Sequence, residues 1–126
     1  MNKLSKAAYA IAGGMVLSTL VVAPAQAVTA HGCGWPRVCF YQSASRYNAA
    51  NPNAAYQDRG YQTLTTAAKG ADYIYNSRND DGALLYTRWD DGSSRTFCIF
   101  PNETVHLLSD ETVYAINIKN AENCSS

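Results

Sequence analysis

Four cysteines, two histidines and two pairs of adjacent aspartates are the residues of this chain that could carry out chemistry. An even number of cysteines in a short chain with an export signal predicts two disulfides, and three pairings are possible. We expect Cys33 to pair with Cys39, because Gly34 and a proline can fold this C-x₅-C segment into a tight loop. Cys98 would then pair with Cys124 and tie the C-terminal tail to a strand.

The two rings would stabilise the fold by different amounts. The loop-entropy model gives about 2.4 kcal/mol for the short ring and about 3.5 kcal/mol for the long one. Zinc binding is the alternative use of these cysteines, and it requires C-x₂₋₄-C spacing or suitably placed histidines. His31 and His106 have no ligand-like neighbours in the sequence, so no metal site is predicted. Oxidised cysteines would also leave no thiolate to act as a nucleophile.

The acidic residues and the histidines do not form a recognisable catalytic set. Asp80-Asp81 and Asp90-Asp91 are adjacent in turn-rich segments, whereas glycoside hydrolysis needs two carboxyl groups that face each other across a cleft. A Ser–His–Asp set can be written from a serine, His106 and Asp110, but no G-x-S-x-G segment accompanies it. His106 lies between two apolar residues, so on a strand it would face solvent. We therefore expect a protein that is not an enzyme and needs no cofactor.

The first 27 residues are predicted to be a secretory leader. Lys3 and Lys6 form a basic start, an apolar stretch runs from about Ala7 to Val22, and Ala25-Gln26-Ala27 is a cleavage signal. A membrane anchor is the alternative, but glycines and hydroxyl residues interrupt the apolar stretch. The expected product is an extracellular chain of 99 residues, from Val28 to Ser126.

Charge and length limit what this product can be. The full chain has 10 basic and 10 acidic residues, and Lys3 and Lys6 belong to the leader, so residues 28–126 carry a net charge of −2. Nucleic acids and anionic membranes are bound by clustered Lys and Arg, so neither is an expected partner. The length allows one small domain with a modest core, which we expect to be a monomer.

Residues 28–126 have the pattern of short strands separated by turns. No segment has a sustained period of 3.6 residues, so no helix is predicted, and about eight strands imply an all-β sandwich or barrel. Tyr114, Ile116 and Ile118 alternate with small or polar residues, which predicts that they share one buried face. The predicted strands are Val38–Gln42, Tyr56–Asp58, Tyr61–Thr65, Ala71–Asn76, Ala83–Trp89, Thr96–Phe100, Thr104–Leu108 and Val113–Lys119.

Turn signals and strand spacing suggest how the strands are arranged. Asp81-Gly82 predicts a turn in the polar segment from Ser77 to Gly82, and Asp90 to Ser94 predicts a second hairpin turn. The spacing of apolar strand positions, 23 and 10 residues in the first half, recurs as 21 and 9 in the second. Each half is predicted to be a four-strand Greek key, at about 33–79 and about 83–120. Coincidence among Tyr-, Ile- and Leu-rich strands is the alternative.

Several of these features together resemble a known family. The leader, the CGWPRVC loop, the stretch ADYIYNSRNDDG and the late cysteine are similar to small secreted actinomycete proteins. These proteins are grouped with the βγ-crystallin-like peptidase inhibitors of the streptomycete metalloproteinase inhibitor type. The resemblance implies a β-sandwich of two Greek keys, tied by disulfides, that inhibits a secreted peptidase.

The chain departs from the crystallin pattern in two places. Tyr41 and Tyr47 are six residues apart instead of about five, and Ala49 stands where the pattern has glycine. Many crystallin-like proteins bind calcium through acidic residues followed by serine. Asp90 to Ser94 matches this in part, but Arg95 occupies the following serine place. A hairpin turn accounts for the same residues, so no metal is assigned.

Two non-enzymatic functions follow from these expectations. A rigid β-domain that presents a loop suits a peptidase inhibitor, whereas exposed aromatic residues suit a carbohydrate or cell-wall binding module. A structural role at the cell surface is a third possibility. We expect Arg78 to be exposed, either in an acidic specificity pocket of a peptidase or solvated, and Trp35 to be exposed in the small disulfide loop. The candidate inhibitory loop consists of Ser77, Arg78, Asn79, Asp80 and Asp81.

Overall fold

The computed structural model describes residues 29–126, and the predicted leader at residues 1–27 lies outside the described residues. Eight strands were predicted, and residues 29–126 contain eight strands together with two short helices. In residues 29–126 no helix is long and apolar enough to cross a membrane. The strands are β1 Val38–Tyr41, β2 Ala54–Tyr56, β3 Gly60–Thr63, β4 Tyr73–Asn76, β5 Ala83–Trp89, β6 Ser94–Ile99, β7 Thr104–His106 and β8 Glu111–Ile118.

The strands form two four-stranded sheets with the core between them, which confirms the all-β class. The first sheet has the order β2-β1-β4-β7 and the second has the order β3-β8-β5-β6. All neighbouring strands are antiparallel. Each half of the chain places its third strand in the sheet of the other half, since β3 pairs with β8 and β7 pairs with β4. This exchange makes the two halves one packed unit.

One of the two predicted turns closes a hairpin within a sheet, and the other connects the two sheets. β5 and β6 form a hairpin, in which Arg88 lies opposite Ser94 and Gly92 has a φ of 91°. The connection from β4 to β5 is not a hairpin, because these strands belong to different sheets. β4 already pairs with β1 on one side and with β7 on the other, so it has no free edge for β5. The segment from Ser77 to Gly82 therefore crosses from one sheet to the other.

Two short helices show that the expectation of no helix is wrong. They are α1, Ala44–Asn48, and α2, Thr66–Lys69. Ser43 begins α1, because its Oγ accepts a hydrogen bond of 3.2 Å from the backbone N of Arg46. With 5 and 4 residues, neither helix is long enough to repeat an apolar position over several turns. The period that identifies helices in a sequence is therefore missing from both.

The core lies between the inner faces of the two sheets, and one prediction about it is wrong. Ile116 and Ile118 are buried there as expected, but Tyr114 is not, and Val113 takes a core position instead. Between the partners of Tyr86 and Thr87, β8 contains one extra residue, which forms a β-bulge. The residues of β8 before this bulge therefore alternate between the core face and the outer face in the opposite sense to that expected. The largest core side chains are Phe40, Ile74, Leu85, Ile99, Ile116 and Ile118.

The carboxylate of Glu111 is buried at the start of β8. It accepts hydrogen bonds from Thr87 Oγ1 at 2.6 Å and from Arg95 Nε at 2.8 Å and Nη2 at 3.0 Å. Burial alone would raise the pKa of Glu111, but the hydrogen bonds from Arg95 and Thr87 outweigh it and hold the pKa below its usual value. The folded state therefore favours the ionised carboxylate.

Both predicted disulfides are present, and the second one explains a glycine. Cys33–Cys39 and Cys98–Cys124 each have a Cα–Cα distance of 6.0 Å. Cys98–Cys124 holds the C-terminal tail against Gly82, where an added Cβ would lie 2.8 Å from each sulfur and even closer to the carbonyl oxygen of Glu122. Gly82 is therefore required for close packing and not only for a turn.

We expect Gly82→Ala to lower the free energy of unfolding by about 2 kcal/mol or more, because the methyl group overlaps the disulfide and the tail backbone. Gly70→Ala is the matched control, since its Cβ would meet only the side chain of Gln42, at 3.5 Å. That variant should stay within about 0.5 kcal/mol of the parent. Urea unfolding of the oxidised proteins measures both values, and equal stability of the two variants would contradict the packing argument.

The contribution of Glu111 to stability should depend on pH. Because its folded pKa is lowered, this contribution is present above the unfolded pKa of about 4.3 and is lost as the pH falls through the folded value. Glu111→Gln should cost about 2 kcal/mol at pH 7 and progressively less in acid. Unfolding at a series of pH values tests this against Glu122→Gln, an exposed control. A cost for Glu111→Gln that does not change with pH would exclude the charged network as its source.

Candidate functional site

The loop closed by Cys33–Cys39 presents an aromatic side chain to solvent. Cys39 belongs to β1, so one side of the loop is fixed in the first sheet. The backbone N of Arg37 donates to the carbonyl oxygen of Gly34 at 3.1 Å and closes a turn around Trp35 and Pro36. Trp35 is 53% exposed, which confirms the expectation made for it. The ring of Trp35 thus projects from a short loop that is closed covalently and by a backbone hydrogen bond.

The candidate inhibitory loop predicted from the sequence is largely buried. Ser77, Arg78 and Asp81 are 8%, 4% and 3% exposed, respectively. Only Asn79 and Asp80 in this segment are exposed. The expectation that Arg78 is exposed is therefore wrong, both as a solvated residue and as a side chain free to enter a pocket of a peptidase.

The pairing of β1 with β4 explains this burial. Val38 lies opposite Asn76, and antiparallel strands bring the chain after Asn76 beside the chain before Val38, which is the disulfide loop. Ser77 donates twice to the carbonyl oxygen of Arg37, from its backbone N at 2.9 Å and from its Oγ at 2.6 Å. Fully buried Asn76 holds the crossover itself by donating to the carbonyl oxygen of Asp81 at 2.9 Å.

Arg78 joins three segments of the chain beneath the loop. Its Nη1 donates to the carbonyl oxygens of Pro36 at 2.9 Å and Gln57 at 3.3 Å, and its Nη2 donates to Asp81 Oδ2 at 2.8 Å. The guanidinium carbon lies 6.0 Å from the ring centroid of Trp35, at the outer limit of a cation–π contact. A rigid fork of donors suits this set of acceptors better than an ammonium group does. Arg78 therefore supports the loop from inside the protein.

The charge of Arg78 is balanced within the same cluster. Asp81 Oδ2 also accepts a hydrogen bond of 2.9 Å from Nε of Arg59. Asp80 Oδ1 lies 3.2 Å from Nε of Arg78, but that nitrogen makes no hydrogen bond, so this contact is one of charge alone. Asp80 and Arg59 are 41% and 51% exposed in their side chains, where water screens ion pairs. The buried pair of Arg78 and Asp81 is therefore the main electrostatic contact under the loop.

A second, smaller core fixes the chain that enters the loop. It lies on the outer face of the first sheet and includes Tyr41, Tyr75 and the Cys33–Cys39 disulfide. Tyr41 Oη donates to the carbonyl oxygen of His31 at 2.6 Å, and burial raises the pKa of Tyr41. The ring of His31 stacks on that of Tyr47 with a centroid distance of 4.2 Å. These tyrosines serve packing on this face of the sheet.

The residues considered above as catalytic or metal-binding candidates make stacking and turn contacts in the structure. His106 is exposed and stacks on Tyr73 at 4.3 Å, and within residues 29–126 no hydrogen bond joins it to Asp110 or to a serine. Asp91 accepts hydrogen bonds from the Oγ and backbone N of Ser93, at 2.6 and 2.9 Å, and they lower its pKa. Asp91 thus shapes the β5–β6 hairpin. In the described part of the chain no group of three or more His, Cys, Asp or Glu is placed to hold a metal ion.

Comparison of the chain with protein-family models, curated proteins and solved structures found no match. The resemblance to crystallin-like peptidase inhibitors therefore stays a prediction. The supporting roles of Arg59 and Asn76 were not foreseen from the sequence. The sequence did contain one signal of the contact between the disulfide loop and the segment after β4. A C-x₅-C loop that enters a strand and a polar segment that leaves the antiparallel neighbour of that strand must meet at the same end of the sheet. Nothing in the sequence around Arg59 shows that it reaches Asp81.

We expect Arg78→Ala to lower the free energy of unfolding by about 3–5 kcal/mol, because it leaves the Asp81 carboxylate buried beside a lost partner. Arg78→Lys should restore little of this, since an ammonium group cannot reproduce the fork of donors. Asn79→Ala, at the exposed neighbouring position, is the control and should change stability by less than about 0.5 kcal/mol. Urea unfolding measures all three, and an Arg78→Ala protein as stable as the control would contradict the supporting role.

Proposed function

We propose that this protein is a secreted, non-catalytic binding protein that inhibits a peptidase through the loop closed by Cys33–Cys39. The observation that carries the proposal is the exposed ring of Trp35 on a loop whose backbone carbonyls are held by Ser77 and Arg78. Asn79 and Asp80, the exposed part of the candidate inhibitory loop, follow directly after Arg78 in the chain.

The physical argument is one of preorganisation. A loop that is ordered before docking loses little conformational entropy when it binds, so more of its contact energy appears as affinity. Tryptophan supplies a large apolar area with few rotatable bonds, and arginine is also enriched among residues that dominate interface energies. Arg37 is exposed next to Trp35, so the same loop offers both side-chain types to a peptidase groove.

The strand arrangement supports membership of the family that the sequence resembles. Two intertwined Greek keys, at about 33–79 and about 83–120, account for the order of both sheets and for the exchange of β3 and β7. A predicted leader and two disulfides are compatible with an extracellular protein. The inhibitor would act as a monomer and without a cofactor, since the loop needs no second chain or metal to be held in place.

The test is a panel of secreted metallo-, serine and cysteine peptidases assayed with the purified secreted protein and three variants. Trp35→Ala should weaken inhibition about 30-fold or more, the effect expected for a central interface residue. Phe100→Ala removes another exposed aromatic ring, 46% exposed, outside the disulfide loop and should leave inhibition unchanged. Asn79→Ala should have an intermediate effect at the margin of the contact.

Two results would count against the proposal. Absence of inhibition across the whole panel would remove the function itself. Equal inhibition by the parent and Trp35→Ala would keep the function but exclude this loop as the contact. Near-ultraviolet circular dichroism of each variant confirms that the tertiary packing is intact before inhibition is compared.

A further inference from the structure

Three tyrosines lie together on the outer face of the second sheet. Tyr61 is on β3, Tyr114 on β8 and Tyr86 on β5, which are neighbouring strands in that order. The ring centroids of Tyr61 and Tyr86 are 5.3 Å apart, and those of Tyr86 and Tyr114 are 6.3 Å apart. Tyr61 is 56% exposed, and the other two are half-buried. The rings form an aromatic surface that the hydrophobic core does not use, and neighbouring ring planes in it are inclined at 66° and 47°.

The backbone explains why these rings face outward. Leu85 and Ile116 point into the core, so Tyr86 and Ala115, which alternate with them, point away from it. Ala115 is 0% exposed although it lies on the outer face, because larger neighbouring side chains cover this small residue. The register shift in β8 turns Tyr114 out to the same face. A bulge therefore adds the third ring to the surface.

A concavity with polar groups adjoins this aromatic surface at Tyr114. Its volume is about 240 Å³, and it is lined by Arg88, Trp89, Asp90, Thr112 and Tyr114. The guanidinium carbon of Arg88 lies 4.4 Å from the ring centroid of Tyr114, where it makes a cation–π contact. Arg88 and Asp90 bring one charge of each sign, so the concavity offers donors and acceptors without net charge.

We propose that this face binds a neutral polysaccharide with an extended chain of β-linked pyranose rings, as in cellulose or chitin. Sugar rings have apolar C–H faces that pack on aromatic rings and hydroxyl groups that need hydrogen-bond partners. Tyr61, the most exposed of the three rings, supplies the first, and the concavity supplies the second. A neutral polymer complements a concavity without net charge, whereas a polyanion would require clustered cations.

This binding surface is separate from the loop proposed to contact a peptidase. The loop leads into β1 of the first sheet, while the tyrosines lie on the outer side of the second sheet. Both surfaces could therefore be occupied together. Such a protein would hold an inhibitor on an insoluble polysaccharide, where secreted hydrolases act.

The experiment is co-sedimentation of the purified secreted protein with microcrystalline cellulose and, in parallel, with chitin. We expect retention on at least one polymer, with Tyr61→Ala binding about tenfold more weakly and Tyr61→Phe binding nearly as well as the parent, because the ring is kept. Trp35→Ala is the matched control, because it removes an exposed aromatic in the disulfide loop, outside the second sheet, and this variant should be retained like the parent. The two polymer arms show whether acetamido groups are needed.

Three outcomes would overturn the inference. They are no retention on either polymer, equal retention of the parent and Tyr61→Ala, or a concentration-dependent dimer in sedimentation equilibrium that Tyr61→Ala abolishes. The last result would assign the face to a second copy of the chain. Because Tyr61→Ala should leave peptidase inhibition intact and Trp35→Ala should leave polysaccharide binding intact, failure of one proposal is distinguishable from failure of the other.

Discussion

The buried ion pair between Arg78 and Asp81 is the interaction on which the candidate loop depends. A guanidinium that is 4% exposed is tolerated only if its charge is matched and most of its donors have acceptors. The acceptors available to it are the carboxylate of Asp81 and the backbone carbonyls of Pro36 and Gln57. Satisfying Arg78 therefore fixes the position of the disulfide loop relative to the rest of the sheet. Buried polar groups can contribute specificity of structure in this way even where they add little to stability.

The crossover between the sheets places Arg78 at this point. Because β4 is hydrogen-bonded on both edges, the chain after Asn76 has to leave the first sheet and start β5 in the second. That path passes beside the disulfide loop and then under the Cys98–Cys124 disulfide at Gly82. One short segment thus contacts both disulfide-bonded regions. The sequence of this segment is polar, yet most of the segment is buried. Its burial is tolerated because its polar groups form hydrogen bonds with backbone groups that would otherwise need water as a partner.

Those parts of the fold that depend on local pattern could be predicted from the sequence. Alternation and turn residues gave eight strands, with β5 correct to the residue, and the cysteine spacing gave both disulfides. The helix around Arg46 could not be predicted by periodicity, because one turn contains no repeat. Tyr114 was assigned to the core because a bulge leaves no mark in the pattern of β8, and only the pairing with β5 reveals it.

The candidate site was harder to predict because it depends on pairing between distant strands. Ser77 to Asp81 is polar and contains turn residues, and such segments are usually exposed. Its burial follows from Val38 lying opposite Asn76, a register that a single sequence does not specify. Exposure of Trp35, in contrast, could be expected, because the short loop closed by Cys33–Cys39 leaves little room to bury an indole side chain.

Amide hydrogen exchange followed by nuclear magnetic resonance tests most directly whether the segment after β4 supports the loop. The amide of Ser77 donates to the carbonyl oxygen of Arg37, and the amide of Arg78 donates to Oδ1 of Asn76. Both should be strongly protected, with protection close to that of the core strands, while Asn79 and Asp80 exchange rapidly. Exchange of Ser77 and Arg78 as fast as that of Asp80 would contradict the account, because the segment would then be a mobile exposed loop.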